Sequence, residues 1–268
     1  HIFTKEIEAF NTNNLLRNEE FNNPYFGFIE DNQQLITSSI GYKFSEELNT
    51  KATYLASNDD EYGEIAFASS MLEFEYKPFD NAAFNFKQGL LLEFDSLMGA
   101  TPSGMFDISD GAQTMFAGAD ISYDINSKWN LFASAYFGMT SVDPSGRSAF
   151  TEVSDILTSA YNIALTRKDI FGDDSLTVAL SKPLRVMKGS ATAITLGNYN
   201  FARDQWDTMT YDTDITPSGT TLKMQSAYHK EMKKNLDLYL SSEVVQDPGH
   251  DEDSETEYSV FGKIKYKF

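Results

Sequence analysis

The fold class is decided by the last twelve residues of the chain, Glu257-Tyr258-Ser259-Val260-Phe261-Gly262-Lys263-Ile264-Lys265-Tyr266-Lys267-Phe268. Tyr258, Val260, Gly262, Ile264, Tyr266 and Phe268 share one face, whereas the other face is polar apart from Phe261. A two-residue period predicts a β-strand with two unlike faces. A soluble β-sandwich also alternates, but it gives no reason for a strand to end on an exposed phenylalanine. The pattern therefore favours a membrane barrel, whose strands present apolar side chains to lipid and polar ones to the lumen.

The composition agrees with this interpretation and excludes several function classes. The 268 residues include 21 Lys+Arg and 40 Asp+Glu, so the formal net charge is −19, which disfavours nucleic acid as a partner. The absence of cysteine excludes disulfides and thiolate sites. Mean hydropathy is −0.38, and no apolar run reaches the roughly 18 residues of a spanning helix. Aromatic residues nevertheless make up 14% of the chain, which suits a barrel with a lipid-facing surface.

The same alternation recurs upstream and predicts a closed antiparallel transmembrane β-barrel of about twelve strands. One example is the face shared by Leu72, Phe74 and Tyr76, which opposes Glu73 and Glu75. The predicted strands lie near 24–30, 34–44, 49–57, 64–77, 82–94, 114–125, 128–140, 154–166, 174–197, 219–229, 234–244 and 256–268. The arm 174–197 counts as one strand because this choice keeps short and long connections in alternation. Pro183 then marks a bulge or the point where the arm leaves the membrane.

The connections differ in length and charge. Short ones are predicted near 45–48, 78–81, 126–127, 167–173 and 230–233, and longer ones near 58–63, 95–113, 141–153, 198–218 and 245–255. Outer-membrane barrels have short periplasmic turns and long external loops, so we expect the barrel's ends in the periplasm and the long loops outside. Loops 58–63, 198–218 and 245–255 together carry 11 of the net negative charges. Such a rim would bind divalent cations or would be simply a solvated surface.

Twelve strands would enclose a lumen wide enough for one peptide, because an α-helix needs about 10 Å. We predict two regions, a linker or pore-threading segment at 1–23 and the outer-membrane barrel at 24–268. Within the first, Phe3, Ile7 and Phe10 have helical spacing, and it would either occupy the lumen or form a periplasmic tail. Charged residues expected on the inner face are the pore-lining candidates Lys43, Glu73, Glu75, Lys87, Glu93, Asp120, Asp124, Lys223, Asp237, Lys263 and Lys265. His1 is not followed by a charged-then-apolar leader, so the chain is expected to be mature or cut from something longer.

The residues give little reason to expect catalysis. The sequence has no Gly-x-Ser-x-Gly elbow, no His-Glu-x-x-His helix and no phosphate loop. His250, with Asp251 and Asp253, forms either a weak metal site or a solvated loop. The pair Glu73 and Glu75 suits a lumen wall better than a general acid–base pair. We therefore predict no enzyme activity, no catalytic or metal-binding residues and no cofactor.

Several segments resemble a known family. They are Asn23-Pro24-Tyr25-Phe26, Ser181-Lys182-Pro183-Leu184-Arg185-Val186 followed by Gly189-Ser190-Ala191, Asp247-Pro248-Gly249-His250, and the terminal Lys265-Tyr266-Lys267-Phe268. In this order they are similar to the C-terminal barrel of subtilisin-like serine-protease autotransporters, most clearly from 154 to 268. The resemblance implies a translocator that exports an N-terminal passenger, with a linker through the pore. Tyr266 and Phe268 would then serve as the assembly signal read by the barrel-assembly machinery.

Three functions remain open at this point. The first is the autotransporter-type translocator, a monomer in the bacterial outer membrane whose partners are outer-membrane lipids, the assembly machinery and its own passenger or linker. The alternative is a stand-alone channel or porin-like protein for small polar solutes, for which a lumen of mixed charge is suitable. The third is an adhesion barrel that acts through its long acidic loops.

Overall fold

The computed structural model describes residues 23–26, 34–58, 65–94, 96–98, 110–144, 148–233 and 236–266. These residues form an almost entirely β structure. The strands are β1 (Gln34–Lys43), β2 (Leu48–Asn58), β3 (Ile65–Phe79), β4 (Ala82–Phe94), β5 (Gly111–Asn126), β6 (Trp129–Asp143), β7 (Phe150–Val153), β8 (Ile156–Lys168), β9 (Asp174–Lys188), β10 (Ser190–Asn200), β11 (Gln205–Asp214), β12 (Leu222–Lys233), β13 (Leu236–Gln246) and β14 (Glu257–Tyr266). Two short 3-10 helices complete the description, Pro24–Phe26 and Pro248–His250. Within these ranges no helix is long and apolar enough to cross a membrane.

Eleven strands form one antiparallel sheet, in the order β1-β2-β3-β4-β5-β6-β8-β9-β12-β13-β14. Almost every strand pairs with its neighbour in sequence, as in an up-and-down barrel. The chain is an antiparallel transmembrane β-barrel, which confirms the fold class that the alternation predicts. We refer to the end with connections 44–47, 80–81, 127–128 and 169–173 as the short-turn end, and to the opposite end as the long-loop end.

The two faces of the wall differ as a two-residue period requires. On β3, Phe67 and Ser69 are buried on the inward face, whereas Leu72, Phe74 and Tyr76 are exposed on the outward face. An apolar exposed face is stable only where lipid covers it, since water would make each of these side chains unfavourable. The inward face carries the polar and charged residues, together with a small aromatic cluster described below.

The first predicted strand, 24–30, is wrong for its first three residues. Pro24–Phe26 is a 3-10 turn whose Tyr25 side chain is buried, and 27–30 lie outside the described residues. Proline has no N–H to donate to a β-ladder. The Tyr25 ring packs inside the barrel, which a residue in an extended strand at this position would not allow. The main sheet of the described residues therefore has eleven strands, with β1 and β14 at its two ends.

The single arm predicted over 174–197 is also wrong. The chain changes sheet at Gly189, so β9 belongs to the barrel and β10 to a separate three-stranded sheet, ordered β11-β10-β7. Strands β7 and β11 lie in segments predicted as the loops 141–153 and 198–218. The barrel ladder continues directly from β9 to β12, where Ser181 pairs with Lys223. The long-loop end is thus extended by a hairpin, β10–β11, with β7 beside it.

Of the two alternatives predicted at Pro183, the structure shows the bulge. Ser159 pairs with Arg185, and Tyr161 pairs with Lys182. Two residues of β9, Pro183 and Leu184, therefore lie opposite one residue of β8, Ala160. A bulge of this kind accommodates proline, because the extra residue needs no ladder hydrogen bond. It also changes the direction of the side chains that follow on β9.

Candidate functional site: the lumen and the long-loop rim

The registers place all the predicted pore-lining residues on the inward face of the barrel. Direct cross-strand pairs link Glu73 with Lys87 and Asp237 with Lys265. Tyr266, predicted as part of the assembly signal, is exposed on the outward face, and Phe268 lies outside the described residues. The structure gathers three of the candidates into one network and distributes the others along the wall.

The central network joins four strands across the inward face. Lys87 Nζ lies 2.6 Å from Asp120 Oδ2 and 3.9 Å from Glu73 Oε1. Tyr136 Oη donates to Asp120 Oδ1 at 2.8 Å and accepts from Lys87 Nζ at 3.2 Å. Lys87 and Asp120 are almost fully buried, so their attraction is weakly screened and each depends on the other for solvation.

A glycine makes this network possible. Lys87, Gly118 and Tyr136 lie directly opposite one another on β4, β5 and β6. The Tyr136 ring lies over Gly118, where a Cβ atom would be only 2.1 Å from Tyr136 Cδ1. Because Gly118 has no side chain, the phenol can cross β5 and reach the lysine on β4.

A second glycine row holds the turn Asn23–Phe26, which we call the lumen turn. Phe116 lies over Gly89, and the Tyr25 phenol lies over Gly138, where a Cβ would be 2.3 Å from Tyr25 Oη. The Tyr25 ring stacks on Phe116 with centroids 4.9 Å apart, and its hydroxyl is 2.8 Å from Thr158 Oγ1. These contacts fix a tyrosine from outside the sheet against the inner wall.

The lumen turn completes a buried aromatic cluster in the barrel interior. The cluster consists of Tyr25, Phe67, Leu91, Phe116 and Tyr136. At its edge, Asn23 is buried, and its side-chain amide lies 3.6 Å from Met71 Sδ on β3. The cluster therefore spans the inner surface from β3 to β8.

The remaining candidates make local contacts. Glu75 pairs with Lys77 at 2.7 Å and accepts from Asn49 at 2.9 Å. Glu93 is buried and accepts from Ser96 Oγ and the Met98 amide, so its carboxylate binds residues 96–98. Further pairs are Lys43 with Glu46, at 2.5 Å, and Asp124 with the Asn130 amide, at 2.9 Å. Lys223, Lys263 and Lys265 lie on the inward face of β12 and β14.

His229 has a neighbour that the sequence alone does not indicate. Its Nε2 lies 3.6 Å from Asp237 Oδ1, and its ring stacks on Tyr239 with centroids 4.6 Å apart. All three residues lie on the inward faces of β12 and β13. The contact adds a titratable group to the lumen wall near the short-turn end.

At the long-loop end, two of the quoted sequence segments, those with Arg185 and His250, meet a third segment, Pro217–Gly219. The Arg185 guanidinium donates to the carbonyl oxygens of Pro217, at 2.9 Å, and Gly219, at 2.8 Å. The Gly219 amide donates to the His250 carbonyl at 2.7 Å. The segments around Arg185, Pro217–Gly219 and His250 are far apart in sequence, yet they form one structural unit, which we call the rim clamp.

The His250 ring closes the rim clamp. Its Nδ1 accepts from the Thr221 amide at 2.9 Å, and its Nε2 lies 2.9 Å from the Leu184 carbonyl oxygen. An amide can only donate and a carbonyl can only accept, so the ring is neutral with its proton on Nε2. Both nitrogens are occupied, which argues against the metal-site alternative for His250.

The environment of His250 disfavours its charged form. Burial lowers its pKa from the ordinary 6.5, and the Leu184 carbonyl opposes this in part. The positive charges of Arg185, Lys182 and Lys223 lower the pKa further. A histidine with a depressed pKa stabilises the fold above its unfolded pKa of 6.5, and this contribution is lost as the pH falls through the folded value.

We therefore expect acid to loosen the rim clamp. As the pH falls below 6.5 towards the depressed folded pKa of His250, the protection of the Thr221 amide against hydrogen exchange, corrected for intrinsic rates, should fall. The ring is protonated more readily when the clamp opens, and protonated Nδ1 no longer accepts. In His250→Gln the same amide should show protection that does not change between about pH 5 and 7.5. A wild-type amide with constant protection over this range would contradict the assignment of the neutral ring.

The inward aromatic residues are the part of the site that sequence reasoning missed. Phe116 and Tyr136 occupy inward positions, between outward neighbours such as Ala135 and Phe137. A usable signal existed, since each faces a glycine on the next strand at the same level. Tyr25 carried no such signal, because its partners lie about one hundred residues away along the chain.

Comparisons with known proteins place the fold and no more. No family model and no curated sequence matches the chain. OprB of Pseudomonas putida, in its high-pH structure, is similar with a TM-score of 0.51 and 11% identity over 87% of this chain. This chain spans 58% of the length of that OprB chain. A structure named the NanC porin shows 10% identity and a TM-score of 0.38, with 88% of this chain and 98% of that chain covered. The resemblance to autotransporter barrels stays a prediction.

Proposed function

We propose that this protein is a channel of the bacterial outer membrane that passes small polar solutes and is narrowed by the lumen turn. The single observation that carries the proposal is the Tyr25 side chain, which lies inside the barrel across the inner wall. The inward face around it is polar and of mixed sign, as with Lys87 and Asp120. Such a wall supports passage of hydrated solutes without strong charge selection.

The proposal includes an orientation. Short turns in the periplasm and long loops outside agree with the general architecture of outer-membrane barrels. The strand β11 and its neighbours, rich in aspartate and exposed, would then face the medium. Passage through such a channel involves no chemical turnover and needs no cofactor.

Planar-bilayer recording tests the proposal. We expect Tyr25→Ala to raise the unitary conductance several-fold, because the phenol is the largest group that projects from the lumen turn into the interior. Gly138→Val should have the same effect by another route, since its side chain would occupy the space of the Tyr25 hydroxyl. Tyr42→Ala is the matched control, because Tyr42 is exposed on the outward face.

Folding is verified in parallel by the gel mobility of heated and unheated samples. If folded Tyr25→Ala and Gly138→Val barrels both conduct like the wild type, the lumen turn does not limit passage and the proposal is wrong. A conductance change in Tyr42→Ala of the same size would also contradict it, because that residue does not contact the lumen.

A translocator is the second candidate, favoured by one specific observation. The side chains of Asn23 and Tyr25 contact the inner wall, which supports a chain segment entering the barrel interior. To test it, a small folded reporter is fused before His1 and its accessibility to external protease is measured on intact cells. Export of the reporter supports the translocator, whereas a reporter retained by correctly folded barrels supports the simple channel.

A further inference from the structure

Two cationic side chains lie together on the outward wall of β9, toward the long-loop end. Leu180 ends the outward apolar run of this strand, and Lys182 follows it two residues later. Lys182 pairs with Tyr161, whose ring is on the exposed outward face of β8. The ammonium lies 5.4 Å from the centre of that ring and donates to Ser159 Oγ at 2.7 Å.

The Pro183 bulge brings Arg185 to the same place. Without the extra residue, positions 182 and 185 would face opposite sides of the strand, since their separation is an odd number. With the bulge, Arg185 pairs with Ser159, the residue to which Lys182 donates. Both cations also contact Met187 Sδ, Lys182 Nζ at 3.8 Å and Arg185 Nη1 at 3.6 Å. One sulfur atom therefore has both positive groups beside it.

Neither cation has a carboxylate partner within the described part of the chain. The ion pairs found there involve Lys43, Lys77, Lys87 and His229, and Arg185 donates only to carbonyl oxygens and to Met187. This is unusual in a protein with 40 acidic and 21 basic residues. Two half-buried positive charges held close together repel each other, so an external anion between them would be strongly stabilising.

The location indicates which anion. On β9 the outward apolar run ends at Leu180, whereas on β8 it continues to Leu157. The Tyr161 ring lies beside Lys182, and such rings are enriched at the interface between lipid tails and headgroups. An ammonium group and the one Nη2 N–H of Arg185 that makes no hydrogen bond within the described residues are donors that phosphate oxygens accept from. We propose that Lys182 and Arg185 bind the phosphate group of a lipid headgroup on the long-loop side of the membrane. The site depends on membrane insertion of the barrel and is independent of conduction through its lumen.

The alternative source of the same chemistry is free phosphate from solution. The wall favours the lipid, because Leu180 and Tyr161 continue from the site into the apolar band, where acyl chains of the same molecule would lie. A free ion would make only the two charged contacts and would compete with water for them.

Native mass spectrometry of the whole barrel in detergent micelles tests the proposal. The probes are dioleoylphosphatidic acid, dioleoylphosphatidylcholine and inorganic phosphate. We expect the wild type to bind one phosphatidic acid molecule in preference to phosphatidylcholine. Lys182→Gln keeps a group that can donate to Ser159 but removes the charge, and it should weaken phosphatidic acid binding about tenfold. Binding of phosphatidylcholine should not change.

Two variants control for charge and folding. Lys168→Gln removes one exposed lysine at the short-turn end and should leave the lipid preference unchanged. Lys182→Arg keeps the charge at the site and should preserve the preference for phosphatidic acid. Folded protein is confirmed by the mobility of unheated samples, and Lys182→Arg provides the test if Lys182→Gln does not fold.

The outcomes are distinct. An unchanged preference for phosphatidic acid in folded Lys182→Gln, or its loss in folded Lys182→Arg, would overturn the proposal. Inorganic phosphate that binds alone and displaces phosphatidic acid at equal concentration would reassign the site to a solute anion. The two proposals are tested separately. Lys182→Gln should change lipid binding and leave conductance unchanged, whereas Tyr25→Ala should change conductance and leave lipid binding unchanged.

Discussion

Replacing Lys87 with methionine should lower the free energy of unfolding by about 3–5 kcal/mol. The Lys87 and Asp120 side chains are only 12% and 5% exposed, and methionine fills the space of the stem without replacing the charge. Asp120 and Glu73 would then remain as neighbouring carboxylates without their cation. Equilibrium urea unfolding of the barrel in micelles, followed by tryptophan fluorescence, measures the change.

Lys77→Met provides the matched control. It removes a pair of similar length, 2.7 Å to Glu75, whose side chains are 47% and 32% exposed. Solvent screening limits such a pair to about 1 kcal/mol or less. In Lys87→Met/Asp120→Leu, part of the lost stability should return, because the unpaired carboxylate is gone. If Lys87→Met and Lys77→Met lower the free energy of unfolding equally, burial of the ion pair does not determine its contribution to stability.

The second large effect is expected at Gly118. Gly118→Val should lower stability by about 3 kcal/mol or prevent folding, because overpacking of an ordered interior displaces side chains and backbone. The Tyr136 ring, which lies over Gly118, would have to leave. Its hydrogen bonds with Asp120 and Lys87 would then be lost as well. The folded fraction is measured from the difference in gel mobility between heated and unheated protein.

Gly262→Val is the matched control for this prediction. Gly262 is also a strand glycine, but a Cβ there would meet only Leu240 Cδ2, at 3.4 Å, on the outward face. We expect it to fold as well as the wild type, since valine suits a lipid-facing strand position. If the Gly118→Val barrel folds equally well, the Tyr136 ring can adopt another position without loss of stability, and the prediction is wrong.

The sequence was sufficient for those parts of the structure that depend on local alternation. The inward positions of Glu73, Lys87 and Asp120 follow from a two-residue period, because a shift by one residue would turn their outward apolar neighbours, such as Leu72 and Phe74, to the lumen. The Pro183 bulge was also predictable, since proline cannot take part in an unbroken ladder.

What the sequence did not reveal depends on partners far along the chain. Pro24-Tyr25-Phe26 looks like the beginning of a strand, and only Phe116 and Thr158 explain why it turns inward instead. The passage of β10 into a second sheet follows from its pairing with β11 and β7, which its own residues do not specify. Likewise, the contact between His229 and Asp237 results from the β12–β13 register.

The quoted segments around Arg185 and His250 show the same limit. Neither segment indicates the other as a neighbour, and neither indicates Gly219. In the structure, Arg185 and His250 bind the backbone of the loop between β11 and β12. These side chains thus form hydrogen bonds with backbone groups that are distant in sequence. A hydropathy pattern does not predict such bonds.

The β10–β11 hairpin leaves the barrel wall and returns to it between two adjacent strands. The Ile215 amide donates to the Gly189 carbonyl at 3.2 Å, so its two ends are joined at the base, while β9 and β12 pair beside it without interruption. Apart from β7, which pairs with β10, the hairpin can therefore be exchanged without altering a strand of the main sheet. Foreign peptides grafted between Gly189 and Ile215 would be displayed away from the wall, on a scaffold whose own ladder is unchanged.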